Sequence, residues 1–163
     1  MFDPETGQCM PNITYGYCAE VVDLEVDTET GEIRIEKVIC ANDVGRAINP
    51  LQVQGQIHGA VVQAAGYALL ENFVQQDGYV LTDKLSNYLI PTVLDIPVEV
   101  DPIILEFPDP QGPFGARGMG EMPFLPMVPA IIDALYDATG VWFYDFPLTP
   151  ERVLQGLGKI PNR

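Results

Sequence analysis

Residues 112–121, Gly-Pro-Phe-Gly-Ala-Arg-Gly-Met-Gly-Glu, read as a glycine-rich loop around which the chain is expected to be organised. Pro108, Pro110 and Pro113 hold the approach extended, because proline fixes φ and lacks a backbone donor. Glycines at 112, 115, 118 and 120 then let the backbone take φ > 0 or approach another molecule closely. The loop delivers a single carboxylate, Glu121, to the start of an apolar segment. Such a loop ahead of a helix can cradle an anion with backbone N–H groups, with Arg117 adding charge. Its spacing, G-x-x-G-x-G, is not the dinucleotide fingerprint, and a carboxylate directly after the last glycine repels a pyrophosphate. Among Met119, Met122, Phe124 and Leu125, Glu121 is expected to be partly desolvated, which raises a carboxyl towards the range of a general base. The alternative use, capping the N–H groups of the following helix, is the simpler reading from spacing alone.

The rest of the chain reads as α+β. Residues 1–13 form an irregular lead-in. Residues 15–26 alternate as a strand, 27–31 (Asp-Thr-Glu-Thr-Gly) turn, and 32–39 return, which makes a β-hairpin. Residues 40–50 have Gly45 and the Asn49-Pro50 pair and are expected to be a shaped loop. Residues 54–73 are helical by spacing, with Ile57, Val61, Ala64 and Ala68 on one side. Gly55, Gly59 and Gly66 lower the propensity of that helix, so it is expected to be buried and approached closely by another backbone or a ligand. A turn follows at 75–78, residues 79–97 carry no clear pattern, and 98–107 read as a strand with Pro102 at an edge or bulge. Pro123, Pro126 and Pro129 are expected before a helix or in its first turn, with Gly140 as its stop. Residues 141–146 read as a short strand. Thr149-Pro150-Glu151 starts a last helix that ends near Gly158.

Composition excludes several classes of partner. The 163 residues are enough for one core, and 47% of them are hydrophobic, so general disorder is ruled out. A formal charge of −15 disfavours nucleic acid and anionic membrane surfaces. Cys9, Cys18 and Cys40 are odd in number and have no C-x-x-C spacing, so they read as reduced thiols of a cytoplasmic protein. The first residues lack a basic region followed by an apolar one, so no secretory signal is expected. Residues 47–70 are uncharged but carry Asn49, several Gln and His58, which argues against a lipid-facing helix.

Residues 112–157, GPFGARGMGEMPFLPMVPAIIDALYDATGVWFYDFPLTPERVLQGL, resemble the C-terminal part of the molybdenum-binding subunit of the xanthine dehydrogenase, aldehyde oxidase and carbon monoxide dehydrogenase family. The resemblance extends upstream through residues 42–50 (NDVGRAINP), 55–59 (GQIHG) and the hairpin before them. It implies that residues 1–163 are a single domain or fragment, the C-terminal molybdopterin-binding portion. It implies Glu121 as the general base of a hydroxylation that takes its oxygen from water. It also implies that Gln56 and the backbone of Arg117, Gly118, Met119 and Gly120 lie against molybdopterin, in the bacterial members usually the cytosine dinucleotide form. No side chain is assigned as a metal ligand, because in the family the pterin supplies the sulfur ligands. The substrate class is an aldehyde, a purine or an N-heteroaromatic compound, with carbon monoxide as a further candidate. Electrons leave through an iron-sulfur partner and commonly an FAD partner. The family's molybdenum subunit is several times longer, so the chain is expected to be inactive without the remainder of that subunit. The rival reading is a non-catalytic structural or assembly module in which Glu121 only caps a helix. His58 is given no catalytic role, Gln63 could reach the cofactor or merely pack, and Asp43 and Arg46 are expected in an ion pair or turn hydrogen bond. Tyr136 and Trp142 are expected as core or interface aromatics.

Overall fold

A computed structural model describes residues 3–9 and 14–161. Of the irregular lead-in, residues 1, 2 and 10–13 lie outside the described residues. The described part is a turn in which the Asp3 carboxylate accepts from the Glu5 N–H at 2.9 Å.

The expected hairpin is present. Strand β1 (Tyr17–Val26) runs antiparallel to β2 (Ile33–Asp43), with Asp27 Oδ1 accepting from the Glu29 N–H at 2.8 Å in the turn. Val22, Leu24 and Val26 all face the core, as their alternation predicts. Helix α1 (Pro50–Leu69) crosses from β2, and two-residue strands β3 (Gln75–Gln76) and β4 (Tyr79–Val80) follow. Strand β5 (Glu99–Leu105) then adds parallel to β2, which gives the sheet order β1-β2-β5. Pro102 sits opposite Cys40 on this outer strand, where a missing N–H costs no ladder bond. Helix α2 (Phe124–Thr139) lies against β1 and α1, and α3 (Pro150–Gly156) closes the chain. The fold is α+β with three helices on a mixed sheet.

The core joins Val22 and Val38 of the sheet to Ile57 and Val61 of α1 and Met127, Ile131 and Leu135 of α2. Each fully buried aliphatic side chain of this kind contributes about 1.5–3 kcal/mol. Among the described residues, no helix is long and apolar enough to cross a membrane.

Local signals set the helix ends. Asn49 caps α1, its side chain accepting from the Gln52 N–H at 3.2 Å, and Pro50 takes the first helical position. Thr149 caps α3 in the same way through the Arg152 N–H, and Gly140 ends α2 with φ 71°.

Four expectations are corrected. Strand β2 continues through Asp43, so the shaped loop spans only 44–49, and the Asn49-Pro50 pair opens α1 four residues before Gln54. Helix α1 is buried on one side only. Pro91 Cγ lies 2.5 Å from where a Cβ on Gly66 would stand, whereas nothing comes within 4 Å of the same point on Gly55 or Gly59. Pro129 lies inside α2, beyond the first turn. The bond it removes would have gone to the carbonyl of Leu125, a residue 74% exposed, where water can replace it. Residues 141–146 form no strand. A strand needs a ladder partner, and here Val141 donates instead to Thr139 Oγ1 at 3.2 Å, while Phe143 packs against Gly156.

Candidate functional site

Three segments separated in sequence meet at the end of the sheet. Gly45 forms an antiparallel bridge with Ala116, the Arg117 N–H donates to the Val44 carbonyl at 2.8 Å, and the Gly115 carbonyl accepts from the Arg46 and Asp109 N–H groups at 2.8 and 3.0 Å. The packing is too close for side chains: a Cβ on Gly45 would lie 2.3 Å from the Gly115 oxygen, and one on Gly112 2.0 Å from the Ala116 oxygen. Phe114, 84% exposed, takes φ 56°, a conformation costly for a bulky residue.

One guanidinium lies between two carboxylates inside this junction. The Arg117 guanidinium, with its side chain 12% exposed, pairs with Asp43 and, at 3.0 Å, with Asp109. Asp43 Oδ1 also accepts from the Gly45 and Phe107 N–H groups at 3.0 and 3.2 Å. Asp109 Oδ1 accepts from the Gln111 and Gly112 N–H groups, and its other oxygen accepts from Thr14 and Arg117. The Thr14 hydroxyl first, then the Gln111 N–H and Arg117, hold its carboxyl down at about 2. The ion pair or turn bond expected for Asp43 is therefore both, with Arg117 as the ionic partner in place of Arg46. Two carboxylates neutralise Arg117, so its side chain serves the loop's shape and leaves anion binding to backbone donors. Asp109 was not foreseen. The Asp-Pro-Gln-Gly run, whose side chain caps the two following N–H groups, is the signal that could have found it.

Beyond Arg117 the loop opens. The N–H groups of Gly118, Met119, Gly120 and Glu121 donate to no partner among the described residues. Nothing lies within 4 Å of a Cβ placed on Gly118 or Gly120. Gln56 reaches across from the exposed side of α1, and its Nε2 donates to the Gly120 carbonyl at 3.2 Å. The Gln56 carbonyl oxygen stays free to accept. Gly55 and Gly59 flank it on the same open side.

Glu121 is exposed, because Met119 and Phe124 turn into the core and Met122 packs on Gly16. The desolvation expected from its apolar neighbours is absent in this chain. The cap reading also fails locally. Pro123 occupies the N-cap of α2 with no side-chain bond, and Glu121 enters none of the ion pairs among the described residues. Its carbonyl, not its carboxylate, accepts from the Phe124 N–H at 2.9 Å. His58 and Gln63 are exposed on α1, and Tyr136 and Trp142 stack with centroids 4.2 Å apart.

These features suit one wall of a site for a large heteroatom-rich cofactor. Unpaired backbone donors, a free amide acceptor and a surface kept open by glycine all face the same region. The unit that carries them is α+β. Residues 1–97 match the family model of the molybdopterin cofactor-binding domain, and the chain belongs to that family. It is similar to a probable hypoxanthine oxidase of Escherichia coli K12, 36% identical over 151 residues that make up 92% of this chain and 16% of that one. The crystal structure of quinoline 2-oxidoreductase from Pseudomonas putida 86 superposes with a TM-score of 0.79 at 35% identity, over 86% of this chain and 18% of that one. Aldehyde oxidoreductase from Desulfovibrio gigas superposes at 0.80 and 34%, over 88% and 15%. The chain thus spans less than a fifth of the length of these three relatives.

Proposed function

We propose that this chain is the base-bearing portion of a molybdenum hydroxylase and works together with the remainder of a molybdenum-binding subunit. The observation that carries the reading is the loop of residues 117–121. It presents an unpartnered carboxylate next to unpaired backbone donors, tied in place by Gln56.

Molybdopterin with molybdenum, when bound, supplies the two-electron redox chemistry of an oxidative hydroxylation. The chain's own part is positional and protolytic. Gly118, Met119, Gly120 and Gln56 offer hydrogen bonds to the pterin, with Arg117 holding their loop in shape. A Glu121 carboxylate oxygen takes the proton of the water that supplies the oxygen atom. Desolvation of Glu121 has to come from other polypeptide, because the chain leaves it exposed. Large exposed apolar side chains point the same way: Leu94, Val93 and Leu125 are 90, 79 and 74% exposed, more than an isolated unit hides well.

The pterin is proposed in its cytosine dinucleotide form, with iron-sulfur and FAD centres on partner chains. The substrate is an aldehyde, purine or N-heteroaromatic compound. Co-expression with the rest of the subunit and a dye-reduction assay against these substrates tests the reading. Turnover that survives Glu121→Gln unchanged would instead favour a non-catalytic assembly module.

A further inference from the structure

On the core side of the β1–β2 ladder, four polar side chains form a square that the site above does not use. The strand register pairs Cys18 with Asn42 and Glu20 with Cys40. Cys18 Sγ lies 3.9 Å from Cys40 Sγ, Cys40 Sγ donates to Glu20 Oε1 at 2.8 Å, and Asn42 Nδ2 donates to Cys40 Sγ at 3.0 Å. One ligand atom from each of Cys18, Glu20 and Cys40 lies within 4.8 Å of the others. Cys40 and Asn42 are fully buried. Two oxygens here are buried without a partner among the described residues, Glu20 Oε2 and Asn42 Oδ1.

No cation among the described residues pairs with this cluster. Helix α2, which covers β1, carries no Lys, Arg or His, and the single histidine of α1 is exposed. Glu20 enters none of the ion pairs among the described residues. A buried acceptor left unsatisfied costs about 1–3 kcal/mol, and two in one place call for an explanation.

We propose that Cys18, Glu20 and Cys40, with the Asn42 amide oxygen as a fourth donor, form a tetrahedral site for a thiophilic divalent cation of the Zn2+ class. With zinc–sulfur bonds of about 2.3 Å at tetrahedral angles, two thiolates stand about 3.8 Å apart, and Cys18 and Cys40 already meet that spacing. The Glu20 oxygen has to withdraw by roughly 0.7 Å from Cys40 to take its place on the same tetrahedron. Its side chain is only half-buried. Turning over the Asn42 amide exchanges its nitrogen and oxygen and brings the orphaned oxygen to the sulfur side. The ion would also replace the Cys40–Glu20 hydrogen bond with bonds to both strands, pinning the hairpin that ends in Asp43. A Cys18–Cys40 disulfide fits less well. Diagonal cross-strand positions are about 7–8 Å apart at Cα, beyond the usual span of a disulfide, and the two oxygens would stay unpartnered.

Titration of the reduced full chain with Co2+ tests this. The expected result is the strong visible absorption of tetrahedral cobalt with a thiolate charge-transfer band, saturating at one ion per chain and displaced by Zn2+. Cys9→Ser, at an exposed position away from the square, leaves it intact. Cys18→Ser abolishes it, and Glu20→Gln weakens binding by more than about tenfold, the effect of losing even an outer-shell partner. Circular dichroism confirms that both variants fold, so the outcome does not depend on the fully buried Cys40. Absence of the cobalt bands overturns the proposal, as does equal loss in Cys9→Ser or thiol counts showing that Cys18 and Cys40 pair as a disulfide and take up no ion after reduction.

Discussion

The side-chain amide of Gln56 donates to the main-chain carbonyl of Gly120, 3.2 Å away and 64 residues further along the chain. This bond ties the exposed side of α1 to the residue just before Glu121 and sets where the carboxylate stands. A bond of this kind contributes about 1 kcal/mol, so Gln56→Ala should lower turnover of the assembled enzyme about fivefold by loosening the loop. Steady-state kinetics alongside cofactor content will separate misplacement of Glu121 from loss of the pterin.

Substituting the proposed base should have a larger effect. Glu121→Gln keeps the shape and hydrogen-bonding size of the side chain but cannot take a proton. In the assembled enzyme the dye-reduction rate should fall by about 10²–10⁴-fold, the range that general-base catalysis supplies, with molybdenum content unchanged.

The Asp43–Arg117–Asp109 junction makes stability depend on acid. Asp109 has its carboxyl held at about 2 in the folded chain, against an ordinary value of 3.8. The folded state therefore binds fewer protons than the unfolded one between those values. Its stabilising contribution is complete above about pH 4 and disappears as the pH falls towards 2. Urea midpoints of wild type and Asp109→Asn should differ at neutral pH and converge at the acid end. Midpoints that stay equally far apart at every pH would remove the ionised carboxylate from the explanation.

Two leucines on the same helix should behave oppositely. Leu135 is fully buried in the core between α2 and the sheet, so Leu135→Ala should cost about 2–5 kcal/mol in chemical denaturation. Leu125 is 74% exposed, and Leu125→Ala should leave the stability of the chain within about 0.5 kcal/mol of wild type. If the exposed apolar residues are an interface with the rest of the subunit, Leu125→Ala should weaken co-purification with that partner.

The open face of the loop leads to a last expectation. On the proposed reading the chain offers one wall of the pterin site, so the purified chain alone should carry no molybdenum, while the co-expressed assembly should carry it. Elemental analysis of both preparations distinguishes these cases, and stoichiometric molybdenum on the isolated chain would contradict the proposed division of the site.

The signals that could be read directly are those whose physics is complete within a few residues. The hairpin at 17–43, the Thr149 cap, the Gly140 stop and Pro102 on an outer strand all follow from backbone dihedrals and short-range hydrogen bonds, whereas the Asn49 cap was read as part of a loop. The same locality misled at 141–146, where a short apolar and aromatic run was present but no strand among the described residues pairs with it, and at Pro129, where an exposed turn absorbed a defect that spacing alone would forbid.

The sequence by itself determined the α+β class, the glycine-rich loop at 112–121 and its single carboxylate. Which groups meet was decided only by the tertiary structure. Arg117 pairs with Asp43 across 74 positions and with Asp109 across 8, Gln56 grips Gly120, and Cys18 comes to Cys40 across 22. Those meetings depend on strand register and on how α1 packs beside the loop, and a shift of one residue in register would turn Cys18 and Glu20 to the opposite face. Glu121 stands exposed for the same reason, since packing draws Met119 and Phe124 inward and leaves the carboxylate facing outward.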